Sequence, residues 1–159
     1  MASRTGNNRG KIMRIVIQRV HKSRLEVDDQ VVSEIGFGYN VFVGVTRDDT
    51  MDNVKRAARR IATVRLFKDE NEKLNNNIAQ VRGEILLVSN FTLCDKKGSG
   101  GARPDFTLGA PKDKAIELYQ ALQTELINEY GLTVKMGRFA EHMEIYTVLD
   151  GPINLVQEY

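Results

Sequence analysis

Two hydroxyls three residues apart, Ser89 and Thr92, stand at the end of an apolar run within Gly-Glu-Ile-Leu-Leu-Val-Ser-Asn-Phe-Thr-Leu-Cys, Gly83 to Cys94. Either could act as a nucleophile if a base stood beside it, usually a histidine oriented by a carboxylate. No G-x-S-x-G elbow surrounds Ser89 and no base is readable nearby, so each hydroxyl, taken singly, is expected to satisfy local backbone groups. A catalytic site here would instead work through backbone N–H groups. Such donors suit an ester whose carbonyl oxygen gains charge as water attacks. Cys94 could serve as a thiolate, but nothing marks its pKa as lowered, and it reads as a small, semi-buried filler. His142 stands at the start of a strand, where it could act as a base and where a surface polar role is the ordinary one.

Cations gather just beyond the apolar run. Lys96, Lys97, Arg103, Lys112 and Lys114 fall in the following loop and the head of the next helix, and Arg138 lies in a second glycine-bounded loop. A solvated charged surface is the default for such runs. Around a candidate site they also suit a phosphate-bearing partner, because phosphate contacts position a nucleic acid without reading its bases. Phe91 and Phe106 could stack a single-stranded terminal base or belong to the core.

The elements that must position these groups read as strands, helix, strand, helix, strands. Ile85 to Val88 has the continuous apolar character of a strand buried on both faces. Before it, Met13 to Val20, Ser23 to Val27, Val31 to Ile35 and Tyr39 to Val45 read as four successive strands, the middle two joined by a turn at Asp28 to Gln30. Without crossover helices between them, antiparallel pairing is expected. Met51, Val54, Ala57, Ala58, Ile61 and Val64 recur at helical spacing behind an Arg and Lys outer face. Polar clusters at Asp69 to Glu72 and Asn75 to Asn77 frame a short excursion. A second helix has Pro111 at its first turn and Gly131 just past its end, with Leu118, Tyr119, Leu122 and Leu126 in its stripe. Leu132 to Met136 and His142 to Leu149 read as closing strands, followed by a turn at Asp150-Gly151-Pro152. The expected fold is one α/β domain, a mostly antiparallel sheet or open β-barrel with two packed helices, over residues 13–159 behind a flexible basic extension at 1–12.

Bulk properties exclude several classes. With 42% hydrophobic and 28% charged residues, the 159-residue chain has the apolar content that disordered chains lack and the charge that membrane chains lack. A net charge of +2 does not by itself argue for nucleic acid. One cysteine and two distant histidines, His21 and His142, offer neither a disulfide framework nor a metal-ligand spacing, so no metal or other cofactor is expected. A reducing, cytoplasmic compartment is the natural reading. No run of about 18 apolar residues could span a membrane, and the N-terminal segment lacks the apolar stretch of a secretion signal. Neither G-x-G-x-x-G nor G-x-x-x-x-G-K-[ST] occurs, which leaves nucleotide binding of those types without support.

Ser89-Asn90-Phe91-Thr92 at a buried strand end and Gly151-Pro152-Ile153-Asn154 near the C-terminus resemble the Ser-Gln-Phe-Thr and Gly-Pro-Val-Thr motifs of the D-aminoacyl-tRNA deacylases, also called D-tyrosyl-tRNA deacylases. The similarity extends through Met13-Arg14, Gln18-Arg19-Val20, Val43-Gly44-Val45, Lys73-Leu74-Asn75 and Arg103-Pro104, from Met13 to about Asn154. It implies an editing hydrolase that cleaves the ester of D-aminoacyl-tRNA, for D-Tyr and other D-amino acids, with glycyl-tRNA able to pass the same filter. It implies a homodimer in which the Gly151-Pro152 segment, with a cis peptide, enters the partner's site and excludes an L side chain.

By the same resemblance, Ser89, Asn90, Phe91 and Thr92 form the catalytic floor, with the Asn90 and Phe91 N–H groups as oxyanion donors and Phe91 against the terminal adenosine. Either Thr92 or backbone groups with the substrate's own ribose hydroxyl would drive hydrolysis. Gly151, Pro152 and Met143 would select the substrate's hand, and Lys96, Lys97, Arg103 and Lys112 would hold tRNA. Three departures stand out: Asn90 for Gln, Asn154 for Thr, and Phe139-Ala140-Glu141-His142-Met143 for Phe-Gly-Ala-x-Met. A drifted, non-catalytic protein of this fold that binds tRNA or another nucleic acid is the alternative.

Overall fold

The alternating stretch that opens the domain forms one long strand. β1 (Arg14–Val27) runs without a break through the segment expected to hold two strands. No Gly or Pro interrupts it, and the irregularity near His21 is absorbed as a register shift between Val20 and Lys22. β1 turns into β2 (Gln30–Ile35) through Asp28 and Asp29, both at positive φ (50° and 60°). This is the geometry that two-residue hairpin turns require, and Asp tolerates it. The computed structural model describes residues 12–96 and 101–159. The expected N-terminal extension, Ile12 apart, therefore lies outside the described residues.

β3 (Gly38–Gly44) lies antiparallel to β1. α1 (Met51–Thr63) then crosses the sheet, and a small hairpin of β4 (Phe67–Lys68) and β5 (Leu74–Asn76) forms the expected excursion. The apolar run becomes β6 (Glu84–Ser89), parallel to β3. α2 (Lys112–Asn128) crosses back to β7 (Thr133–Met136), parallel to β6. Each helix returns the chain to the end of the sheet where it started, so these pairs are parallel and the sheet is mixed. The order is β2-β1-β3-β6-β7, with β8 (Glu144–Glu158) on β1. Ser33 Oγ donates to the Met136 carbonyl at 2.6 Å and Lys135 Nζ to the Glu34 carbonyl at 2.7 Å, which brings the β2 and β7 edges together as a nearly closed barrel.

Both helices cover one face. Val54, Ala57, Ala58 and Ile61 of α1 and Leu118 and Leu122 of α2 pack on Ile15, Ile17, Val41, Val43, Ile85 and Leu87. Complete burial of each large aliphatic side chain contributes roughly 1.5–3 kcal/mol. Met51, expected in this stripe, is 42% exposed. Val20, Leu25, Ile35, Leu86 and Val88 make a smaller cluster on the opposite face, so β6 is buried on both sides as its composition predicts. Pro111 caps α2, and Gly131 takes φ +65° just beyond its end.

The final strand differs most from expectation. β8 does not turn at Asp150-Gly151-Pro152 but continues to Glu158. Opposite Arg19 alone, four residues, 150–153, arch out between the Gln18–Asn154 and Val20–Leu149 pairs. Gly and Pro disrupt a ladder, and here they do so as a bulge inside a strand.

Cys94 is fully buried, beyond the semi-buried expectation, and its thiol donates to the Val45 carbonyl at 3.4 Å. Burial is the main cause that pushes its pKa from 9.0 up to about 11, and Arg14 opposes the shift. In the unfolded chain the thiol ionises first, so this group's contribution to stability is complete below about pH 9 and is lost as pH rises toward 11. The melting temperature is expected to fall across that window less steeply in Cys94→Ala than in the parent, and iodoacetamide is expected to leave the folded thiol unmodified at neutral pH.

Candidate active site

Where β6 ends, the chain is held tightly. Val43 pairs with Ser89, and the N–H of the next residue, Asn90, donates to the Val43 carbonyl at 2.8 Å. One turn of 3-10 helix follows, Phe91–Cys94. The Asn90 side chain caps it, its Oδ1 accepting the Thr92 N–H at 3.2 Å and the Thr92 hydroxyl at 2.5 Å. Arg14 Nη1 donates to the Leu93 and Asp95 carbonyls at 2.8 and 2.5 Å and ties the turn to β1.

A cavity of about 740 Å³ opens over this turn. Ser89, Asn90, Phe91 and Thr92 all line it, so the four expected floor residues meet there. Phe42 and Val88 contribute apolar surface from the strands, Phe106 and Lys112 come from the segment before and at the head of α2, and Met143 comes from the approach to β8. Phe91 is 65% exposed and meets Phe106 edge to face, with ring centroids 5.2 Å apart and planes at 82°. An exposed aromatic braced by another is a platform for a planar ligand.

Several details revise the expectations. The Asn90 N–H already serves Val43, so it is not a free oxyanion donor. Phe91 opens the 3-10 turn, and the structure gives its N–H no partner among the described residues. The Thr92 hydroxyl gives its proton to an amide oxygen, not to a base. Of the expected tRNA-binding cations, Lys112 lines the cavity, Lys96 and Arg103 are exposed outside its lining, and Lys97 lies outside the described residues. Phe42 and Phe139, to which the sequence assigns no role, stand on the walls, and Glu141 lines the cavity beside His142, the residue weighed as a possible base. The signals that mark that segment are the Phe139 to Met143 motif with its departure at Glu141, and His142 and Met143 within it. Ala140, where the resembled motif has Gly, takes φ +61°.

Gly151 and Pro152 do not line this cavity. They sit exposed at the crest of the β8 arch, and the peptide between them is cis. Beneath it, the buried Arg19 guanidinium donates from Nε to the Asp150 carbonyl at 3.2 Å, pairs with the Asp150 carboxylate at 3.1 Å, and reaches the Leu66 carbonyl through Nη1 at 2.7 Å. A buried guanidinium with its donors satisfied on both sides holds the arch to the sheet. Among the described residues, no group of three or more His, Cys, Asp or Glu side chains comes together as a metal site. Among the described residues, no helix is long and apolar enough to cross a membrane.

The model of the family described as D-Tyr-tRNA(Tyr) deacylase matches residues 16–158. The chain belongs to that family. A D-aminoacyl-tRNA deacylase of Staphylococcus epidermidis is 45% identical over 148 residues, spanning 92% of this chain and 95% of that one. Another, of Desulforudis audaxviator, is 43% identical over 147 residues, 91% of this chain and 95% of that one. The solved structure of a c-Myc DNA Unwinding Element Binding Protein matches with a TM-score of 0.86 at 31% identity, over 92% of this chain and 98% of that one. A probable eukaryotic D-amino acid tRNA deacylase shares the fold at a TM-score of 0.81 and 16% identity, over 93% and 100% of the two chains.

Gly44 provides a test of the floor. A Cβ there would meet Leu93 Cβ at 2.9 Å, the Asn90 carbonyl oxygen at 3.1 Å and Cys94 Sγ at 3.1 Å. Gly44→Ala is expected to push the 3-10 turn off β3, cost about 1–3 kcal/mol of stability by overpacking and abolish most catalysis, as read from denaturant melts and turnover at a temperature where the variant is folded.

Proposed function

We propose that this chain hydrolyses the ester joining a D-amino acid to the terminal ribose of tRNA and leaves L-aminoacyl-tRNA intact. The observation that carries the proposal is the convergence of Ser89 to Thr92 on one cavity in a chain of the deacylase family. Phe91 and Phe106 are suited to hold the terminal adenine. The Phe91 N–H is the available donor to the carbonyl oxygen as water attacks it, and the ribose 2′-hydroxyl beside the ester would orient that water. Thr92, its proton committed to Asn90, positions the turn.

Selection by hand would come from a second copy of the chain. Gly151 and Pro152 project from their own protomer without lining its cavity, which suits delivery to a partner. β8 pairs only with β1 among the described residues and leaves its other edge open along 15 residues. Tyr146, Val148, Leu149 and Val156 on it are 42–77% exposed, and an open edge with apolar side chains invites pairing. In the homodimer the arch of one copy would enter the cavity of the other and exclude any side chain in the L position, with Met143 in the wall it faces. Exclusion of this kind accepts many D-amino acids and also glycine.

A second reading, nucleic-acid binding without hydrolysis, draws on the relative described as a c-Myc DNA Unwinding Element Binding Protein. Paired assays separate the two. Free tyrosine is expected from D-Tyr-tRNA and not from L-Tyr-tRNA; tRNA binding with neither ester cleaved supports the second reading. Thr92→Ala is expected to retain at least a tenth of the activity, and its complete loss would return Thr92 to the role of nucleophile.

Gly151→Ala tests the arch. Gly151 stands at φ +128°, and an added Cβ would meet the Ile153 nitrogen at 2.9 Å. The displaced crest is expected to lower the ratio of D to L hydrolysis at least tenfold, about 1.4 kcal/mol of discrimination, with D-Tyr-tRNA cleavage persisting.

A further inference from the structure

Of the Lys and Arg side chains among the described residues, Lys112 alone lines the cavity, which is too little charge to hold the body of an anion as large as a tRNA. α1 carries four cations, Lys55, Arg56, Arg59 and Arg60, against one acid, Asp52, and all five are exposed. That excess of three positive charges on one 13-residue helix is larger than the +2 of the whole chain. α2, its neighbour, mixes Lys112 and Lys114 with Asp113, Glu117 and Glu125. A surface that merely keeps a protein soluble intersperses the two signs, whereas a field of one sign steers an oppositely charged partner.

The spacing within α1 points the same way. Lys55 and Arg59, and likewise Arg56 and Arg60, stand four residues apart, where like charges repel and weaken the helix. Such rows gain from an anion laid across them. Arg56 is held by an exposed ion pair to Asp52 at 3.1 Å, and Arg60 by an exposed hydrogen bond to Gln157 at 3.1 Å and by the Tyr159 hydroxyl beside it. Exposed pairs of this kind exchange readily for a stronger anion. Among the described residues, the Lys55 and Arg59 side chains have no ion-pair or hydrogen-bond partner.

Position links this face to the site. Just before α1, the Arg47 N–H donates to the Leu108 carbonyl at 2.9 Å, Thr46 bridges to Gly109, and the Lys114 ammonium donates to the Arg47 carbonyl. Gly109 itself lines the cavity. From that wall the helix axis leads away for about 20 Å, with each cation row at a pitch of about 6 Å.

Resting on the deacylase reading, we propose that the outer face of α1 binds the phosphate backbone of the tRNA whose aminoacylated end occupies the cavity, with Lys55 and Arg59 as the principal phosphate ligands. The binding reads charge and not base sequence, which suits an enzyme that must accept many tRNAs.

The test uses fluorescein-labelled, uncharged tRNA and the whole protein, with affinity followed by anisotropy across a salt series. Lys55→Gln with Arg59→Gln is expected to weaken binding at least tenfold at low salt and to flatten the log-log salt slope by about 1.4–1.8, which is about 0.7–0.9 for each phosphate that is no longer neutralised. Lys55→Arg with Arg59→Lys is expected to keep the parent slope. Lys73→Gln with Arg82→Gln, the same charge change outside α1 and the cavity lining, is expected to keep it too. An unchanged slope in the α1 pair, or an equal weakening in the Lys73 and Arg82 pair, overturns the proposal. On D-Tyr-tRNA the α1 pair is expected to raise KM and spare kcat. If the parent protein cleaves no D-aminoacyl ester, the deacylase reading fails by itself, and the binding series still decides the role of α1.

Discussion

One backbone hydrogen bond, from the Asn90 N–H to the Val43 carbonyl, marks where the fold stops being scaffold and becomes site. It is the last rung of the parallel pairing between β3 and β6, and that pairing exists because α1 carries the chain back across the sheet. A second crossover, through α2, sets β7 parallel to β6. The loops leaving β3, β6 and β7 therefore converge at one end of the sheet, the usual place for a ligand site beside parallel strands. Val45, Phe91 and Phe139 come from those three loops, and all line the cavity.

A second constraint acts on the opposite side of β1. Arg19 is buried, and a buried cation without partners would be costly. Asp150 meets it through both carbonyl and carboxylate, so satisfaction of the guanidinium and anchoring of the β8 arch are one arrangement. The floor and the arch are thus held by separate devices on separate strands. In one protomer they do not share a cavity. This separation underlies the dimeric reading of the site.

The parts legible from the chain were those with local signatures. Ile85 to Val88 declared a doubly buried strand by its unbroken apolar run, and Pro111 and Gly131 bounded α2 by their fixed and permissive backbones. Bulges carry no such mark. The one near His21 made a single strand read as two, and the one at Gly151-Pro152 made a continuous strand read as a turn. Crossovers escaped for a related reason: parallel pairing of β6 with β3 depends on where α1 returns the chain. At the site, the floor and arch motifs were recognised by resemblance, but Phe42 and Phe139 reach the wall only through long-range packing. The engagement of the Asn90 N–H likewise depends on β3, which lies far earlier in the chain.

If each working site takes its floor from one chain and its arch from another, two defective chains should repair each other. Gly44→Ala disturbs the floor, and Gly151→Phe would place a bulky ring where the arch enters the partner. Each variant alone is predicted to be nearly inactive on D-Tyr-tRNA. Co-expressed as mixed dimers, they should regain D-selective hydrolysis, because one of the two sites then combines an intact floor with an intact arch. Mixed dimers, verified by mass, that stay as inactive as their parents would contradict a site shared between copies.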